Sequence, residues 1–559
     1  MIGEQFSFHF LVFRYLIALV AALGLWAALR LQSERLVLSA LALLGVLTWL
    51  FTWLPLERPY GLQAGSPSSF ELAVVTVGSA TGTPLESWVV GRRNPRPAWS
   101  LVWYALTPGR PDQARRMHEF VPAVTLVLLP LVVFILFRSR RRDGPWEALT
   151  CAFAAVFASS VPLDAFRPFG MFHRSFFVTP AGVVGLLVVL AALGLAWNGR
   201  RWHQVAAGVL LGIVAWLDLG LFVWGVMGFL AGDILKALQA DRPLSGGSWR
   251  PVLLAGLLAT PQLLALHRSE LLFRGPSPED FESMRIAFRD LFAASTDMEW
   301  IFVLAVLSLP ILWRRREPAD VGILSLLVGS YGLWVGAATL RWGPLLEPGE
   351  VFHLLRFSVA LAAGVGGFHA ARWIIERLGA SSNEGSLGRR LAGWVTKATA
   401  GPAAFVLAVV FLLPTSAPFL WHPLKVDPLY YPSLRPADTA VERLERWVMA
   451  NTRPDETILT GDLTGEWISA LTGRRVLTAL RVLPRDERRA RNREVRALFL
   501  SGDPARMREA LRALGATVLV LDASLGDVYW QLDRSFLVSS GLFRKVHQIG
   551  DVYAIYRAR

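Results

Sequence analysis

The sequence predicts a polytopic α-helical membrane protein that ends in a small soluble α/β domain. Three observations predict it. Of 559 residues, 53% are hydrophobic and the mean hydropathy is +0.43, a composition suited to lipid rather than water. Apolar segments long enough to be spans recur near 8–29, 36–56, 120–137, 146–163, 176–196, 203–217, 219–238, 251–266, 299–313, 321–340, 354–376 and 402–421. At ~20 residues per ~30 Å of hydrocarbon this makes about twelve transmembrane helices. From about residue 422 the pattern changes to short β-rich runs alternating with helical ones.

The segment 8–29 has neither a basic region before it nor a small-residue cleavage site after it, so it is expected to be a retained span. Between the second and third apolar segments lies a polar interval, 57–119, too long for a simple connection. It holds carboxylates, arginines and interfacial tryptophans, and is expected to form one wall of an active site at the membrane surface. Within it, FELAVVTVGSA reads as a helix opened by Glu71, and NPRPAWSLVWYAL as a Pro-led aromatic amphipathic segment.

The remaining spans are ordered by charge. RSRRR at 138–142, NGRRWH at 198–203, the Asp241–Arg250 loop, WRRRE at 313–317 and the Arg377–Lys397 loop all fall on one side of the count, which makes that side cytoplasmic. The loops 57–119, 164–175, 267–298 and 341–353 and the C-terminal domain then lie outside. The count depends on 203–238 being two short helices that turn near Asp218; one long helix would reverse every later loop. The net charge of +14 is carried by arginine, with Lys236, Lys397, Lys425 and Lys545 the only lysines. That surplus suits anionic headgroups, and no nucleic-acid motif accompanies it. The single cysteine, Cys151, lies in an apolar run, which excludes a disulfide framework and predicts packing.

The chain thus divides into a membrane part, 1–421, and a domain at 422–559. In the latter, ETILTG, ATVLVLDAS, FRKVHQIG and DVYAIYRAR read as strands, the last two as a pair, with helical runs between. GDLTG follows the first strand but is neither a dinucleotide fingerprint nor a phosphate loop, so no nucleotide site is assigned. The arginines from Arg485 to Arg512 form a solvated helix face, contact with an anionic membrane or acceptor being the other reading.

This order of parts resembles the GT-C superfamily of membrane glycosyltransferases. The features that carry it are FELAVV in the first outer loop, SSVPLDAFRPFGMFHRSFFVTP in the next, GEVFHLLRFSVALAAGVG later, and the tail from DETILTGDLTGEWISALTGRRVL to GATVLVLD. The resemblance covers most of residues 36–559, leaving 8–29 as an addition. It implies an enzyme in a bacterial inner membrane with a periplasmic or extracellular C-terminal domain. Its substrates would be a sugar on a polyprenyl-phosphate carrier and a glycan or lipid acceptor. Members carry aspartate in the first loop, whereas this one holds only glutamates before Asp112. No aromatic acceptor motif of the oligosaccharyltransferase type is found, which argues against transfer to protein.

Inverting transfer from a lipid phosphate needs a base for the acceptor hydroxyl and positive charge for the departing phosphate. Glu71 is the first candidate base and Glu57, directly after an apolar run, the second; the alternatives are a helix-start glutamate and an interface residue paired with Arg58. Asp164 sits at the membrane edge, where it would orient the acceptor, help hold a divalent cation (magnesium or manganese), or pair with Arg167 or Arg174. No cluster has dedicated metal spacing, so a cation would draw ligands from several loops.

The candidates for the carrier phosphate are His173 and Arg174, just before a span, with an interfacial anchor as the alternative, and Arg356 with Arg341, His353 and Glu350. Glu350, His353 and Arg356 share one helical face, and an intrahelical network among them is the alternative. Two other function classes stand beside the enzyme. One is a catalytically degenerate relative that binds a lipid-linked glycan. The other is a secondary transporter, which the long first loop and the outer domain fit poorly.

Overall fold

The computed structural model describes residues 34–52, 75–81 (except 79), 97–107, 128–138, 144–158, 180–197, 201–240, 249–268, 299–339, 348–380, 400–421, 440–477, 503–513, 515–523 and 538–559, with isolated residues between 110 and 125 and between 490 and 497. The segment 8–29 lies outside the described residues. Eleven labelled helices precede the C-terminal domain among them: α1 (Glu34–Thr52), α2 (Pro97–Leu106), α3 (Gly144–Phe153, continued by a π-helical turn at Ala154–Ala158), α4 (Pro180–Trp197), α5 (Arg201–Leu217), α6 (Leu219–Ala240), α7 (Trp249–Arg268), α8 (Glu299–Arg315), α9 (Pro318–Thr339), α10 (Pro348–Ala380) and α11 (Ala400–Trp421). A further apolar helix runs over Leu128–Phe137.

The pattern of exposure is that of a chain in lipid. Val205, Val209 and Ile213 on α5, Leu253, Leu257 and Leu264 on α7, and Val303, Val306 and Leu307 on α8 recur at helical spacing and all face outward. Among the described residues three helices are long and apolar enough to cross a membrane: Leu219–Gln239, Pro318–Gly336 and His353–Arg377. The third is 89% buried against 50% and 67% for the others, so α10 is the axis around which the bundle is built.

Residues 201–240 form two helices, not one. Asp218 stands between them, and its Oδ1 accepts the Leu221 amide at 3.0 Å as the N-cap of α6. An added Cβ at Gly225 on α6 would meet Leu211 on α5, seven residues to either side of Asp218, as an antiparallel hairpin requires. Gly185 on α4 faces Leu221 and Gly232 on α6 faces Trp197, so α4 and α6 run parallel with α5 reversed between them. Gly228 and Gly232 face Gly329 and Ser325 of α9, which therefore runs antiparallel to α6. The α4–α5, α6–α7 and α8–α9 connections consequently share one end, which carries Arg201, Arg250 and Arg314–Arg316.

Lipid supplies no hydrophobic force between helices, so small residues that let backbones approach hold the bundle together. The Gly329 position touches the Gly228 backbone, and Gly364 on α10 lies against the backbone of Cys151 on α3. The Cys151 thiol is buried and donates to the Leu361 carbonyl at 3.6 Å, so its role is packing. At Gly366 an added Cβ would run into the Leu304 carbonyl of α8. Gly366→Ala is therefore expected to lower unfolding stability in detergent by about 1–3 kcal/mol, because α8 and α10 must part. Gly256→Ala, with nothing within 4 Å of the new methyl, is the matched control and should lose none. Equal midpoints for the two variants would refute the close-packing account.

The C-terminal domain is built on a five-stranded sheet of order β2-β1-β3-β5-β4, with β1 (Thr457–Leu459), β2 (Arg475–Val476), β3 (Ala516–Asp522), β4 (Phe543–Ile549) and β5 (Tyr553–Ala558). β1 pairs parallel to both β2 and β3, and β5 pairs antiparallel to β3 and β4. β3 is buried on both faces, as its continuous apolar run requires. Val518 and Val520 join a cluster with Leu444 and Val448 of α12 (Ala440–Asn451) and Ile468 of α13 (Asp462–Thr472). Leu519 and Leu521 face the other way, with Leu511 of α14 (Pro504–Ala513). The GDLTG stretch anchors α13 to this sheet: Thr464 donates to the buried Asp522 carboxylate at 2.7 Å.

Candidate functional site

α10 begins at Pro348, where a missing N–H costs nothing, and is mainly apolar from Phe357 to Phe368. Arg356 lies two helical turns in, 1% exposed, and His353 one turn before it is 5% exposed. A guanidinium this deep in a bundle is held there by anionic or polar partners, because an isolated one would be expelled. Glu350 is in the first turn of the same helix, and its side chain lies outside the description. Glu57, Glu71, Asp164, His173, Arg174 and Arg341 lie outside the described residues.

A chain of buried hydrogen bonds fixes the rotation of α10 beside Arg356. The Trp224 indole of α6 donates to Ser330 Oγ of α9 at 2.7 Å, Ser330 Oγ lies 2.7 Å from Ser358 Oγ, and Ser358 donates to the Leu354 carbonyl at 2.9 Å. Trp224 also packs edge-on against Phe357, with ring centroids 6.1 Å apart. Three helices are thereby locked within half a turn of Arg356, so the guanidinium is carried on a rigid element. Sequence reasoning missed Trp224, Ser330 and Ser358, since serine in an apolar span has no partner until the neighbouring helix is known.

Part of the first polar loop joins bundle and domain. Val75 packs with Trp99 and Trp103 of α2, Ala181 of α4 and Leu217 of α5. The two indoles stand edge to face at 5.7 Å. Two residues on, Val77 belongs to the core cluster of the C-terminal domain. Between them, buried Thr76 donates to the Ser469 carbonyl of α13 at 2.9 Å. The domain therefore sits at the end of the bundle formed by the α4 N-terminus and the α5–α6 turn, opposite the arginine-rich connections.

At that opposite end is a second buried polar cluster. Arg315 Nη1 lies 2.6 Å from Glu147 Oε1 and 3.8 Å from Asp320 Oδ1, and His369 Nε2 lies 3.3 Å from Glu147 Oε2. Arg315 Nη2 also bonds His369 Nε2. Glu147 and Asp320 occupy the first turns of α3 and α9, and Arg315 the last turn of α8, so each charge also complements its helix dipole. Arg315 is thus an interior tie between four helices. Among the described residues no group of three His, Cys, Asp or Glu could hold a metal ion.

The fold is similar to those of two solved membrane glycosyltransferases, one archaeal and one from Cupriavidus metallidurans. The oligosaccharyltransferase of Archaeoglobus fulgidus in its apo form superposes with a TM-score of 0.53 at 12% identity, over 88% of this chain and 70% of that one. The oligosaccharyltransferase AglB from Archaeoglobus fulgidus, in complex with an inhibitory peptide and a dolichol-phosphate, gives 0.50 at 12%, over 87% and 69%. ArnT from Cupriavidus metallidurans bound to undecaprenyl phosphate gives 0.50 at 13% identity, over 94% of this chain and 98% of that one. No protein-family model matches the sequence, and no curated protein matches it.

Proposed function

We propose that this chain is an inverting membrane glycosyltransferase that moves a sugar from a polyprenyl-phosphate carrier to an acceptor hydroxyl. The observation that carries the reading is the GT-C fold over nearly the whole chain, including a neighbour, ArnT, bound to undecaprenyl phosphate. The buried guanidinium of Arg356 supports it, because the reaction needs fixed positive charge where a phosphate departs. The reaction takes place at the bundle end that bears the C-terminal domain, on the outer face of a bacterial inner membrane with that domain periplasmic. The acceptor is a glycan or a lipid, and Glu71 removes its proton, with Glu57 as the alternative base. Asp164 orients the acceptor or helps to hold a divalent cation. His173, Arg174 and Arg341 join Arg356 around the phosphate.

The test is release of labelled sugar from a polyprenyl-phosphate sugar by the purified protein in lipid nanodiscs, with glycan and lipid acceptors supplied. Turnover is expected in the wild type and a loss of about 10²–10⁴-fold in Glu71→Gln. Retained turnover in that variant would transfer the role to Glu57. Tight carrier binding with no sugar release under any condition would mark a binding protein that has lost the chemistry.

A further inference from the structure

We infer that the C-terminal domain is a positioning element for the first polar loop, holding the stretch 75–81 between itself and the bundle. As a statement about catalysis, the inference rests on the glycosyltransferase reading above.

The stretch is short and is buried from two directions. Val75 is 0%, Thr76 1% and Val77 2% exposed, yet Val75 packs with the bundle and Val77 with the core of the domain. Successive helical positions point about 100° apart, so residues 75 and 77 face nearly opposite ways and a single turn can fill both interfaces. The turn is a wedge shared by two bodies. It belongs to neither core alone.

The domain side is shaped to receive it. α13 ends at Gly473 with φ +68°, and the Gly473 amide bonds the Ser469 carbonyl at 3.0 Å. That same carbonyl accepts the Thr76 hydroxyl. The C-cap of α13 and the loop therefore share one acceptor. Gly473 meets two demands at once, a left-handed conformation and close approach. A Cβ there would lie 2.9 Å from both Ala80 Cβ and the Thr76 carbonyl oxygen. Thr81 closes the turn on its other side by donating to the Val77 carbonyl at 2.8 Å.

In the chain, Glu71 precedes Val75 by four residues. An anchor four residues from a catalytic base limits, by chain length alone, how far that base can move. Catalysis by a base on such a loop tolerates little displacement. The seat made by Gly473 and the Ser469 carbonyl is thus a positioning device that acts on the reaction through Thr76.

The experiment has a labelling arm and a turnover arm, both on the full chain in nanodiscs. The only native thiol, Cys151, is fully buried, so Val77→Cys introduces the one reactive thiol among the described residues. With Gly473 intact, maleimide should modify position 77 slowly. Adding Gly473→Val should speed modification by about tenfold or more, with Cys151 still protected as the sign of a folded bundle. On the turnover arm, Gly473→Val and Thr76→Val should lower kcat, by up to about 10²-fold, with little change in carrier affinity. Thr76→Ser, which keeps the hydroxyl, should restore it.

Equal labelling with and without Gly473→Val would overturn the wedge. Faster labelling with unchanged kcat would overturn its role in positioning. If even the wild type releases no sugar, the glycosyltransferase reading fails, while the labelling arm still decides whether the domain holds the loop.

Discussion

Arg356→Ala is expected to weaken binding of polyprenyl phosphate by about 10²-fold or more, the equivalent of two charge-assisted hydrogen bonds at roughly 1.5–3 kcal/mol each. The side chain is 1% exposed on the most buried helix of the bundle, where the local medium strengthens any bond to an anion. Its backbone cannot rotate away, because Ser358 and Ser330 tie α10 to α9 and through Trp224 to α6. Arg356→Lys keeps the charge but loses the planar two-pronged donor, so it should recover only part of the affinity. Lipid binding by fluorescence quenching or thermal shift with the carrier phosphate measures both variants, with Trp224→Phe as a test of the support. If Arg356→Ala folds, as judged by a wild-type melting profile without ligand, and still binds with wild-type affinity, Arg356 does not hold the phosphate.

Much of the helical architecture is legible in the sequence because span length and hydropathy are set by the lipid, not by partners. The turn at Asp218 is an instance. Asp218 lies midway along a long apolar run, where a carboxylate favours a helix end, and it caps α6. What sequence could not supply is pairing. Glu147, Asp320 and His369 stand where apolar helices meet arginine-rich connections, and each, once buried, ought to have a partner. Nothing in one dimension says that the partner of all three is the middle arginine of WRRRE. Gly473 is similar. A glycine after ISALT reads as a helix stop, but that the stop also receives residues 76–80 depends on contacts some four hundred residues apart in the chain. Arg356 was legible as the charged residue at the head of α10. The serine and indole network that steadies it was not.

The second large effect is expected at the other end of the bundle. Arg315→Met should destabilise the protein by about 3–5 kcal/mol, because it strands a buried carboxylate rather than merely deleting a contact. Glu147, Arg315 and Asp320 have side chains no more than 9% exposed, so water cannot replace the lost partner. Methionine fills a similar volume, which keeps the cavity cost small beside the electrostatic one. Glu147→Gln should cost less, since Asp320 and His369 remain beside Arg315. The double variant should be more stable than the sum of the single losses predicts, with a coupling of roughly 0.5–3 kcal/mol. Denaturation in mixed micelles would give all three values in one cycle. Losses that simply add would mean the short distances carry no energy. The cluster lies at the end opposite the C-terminal domain, so whatever fraction of Arg315→Met stays folded should bind carrier phosphate as the wild type does. A fall in affinity there comparable to that in Arg356→Ala would mean that the arginine-rich end, and not the domain-bearing one, holds the phosphate.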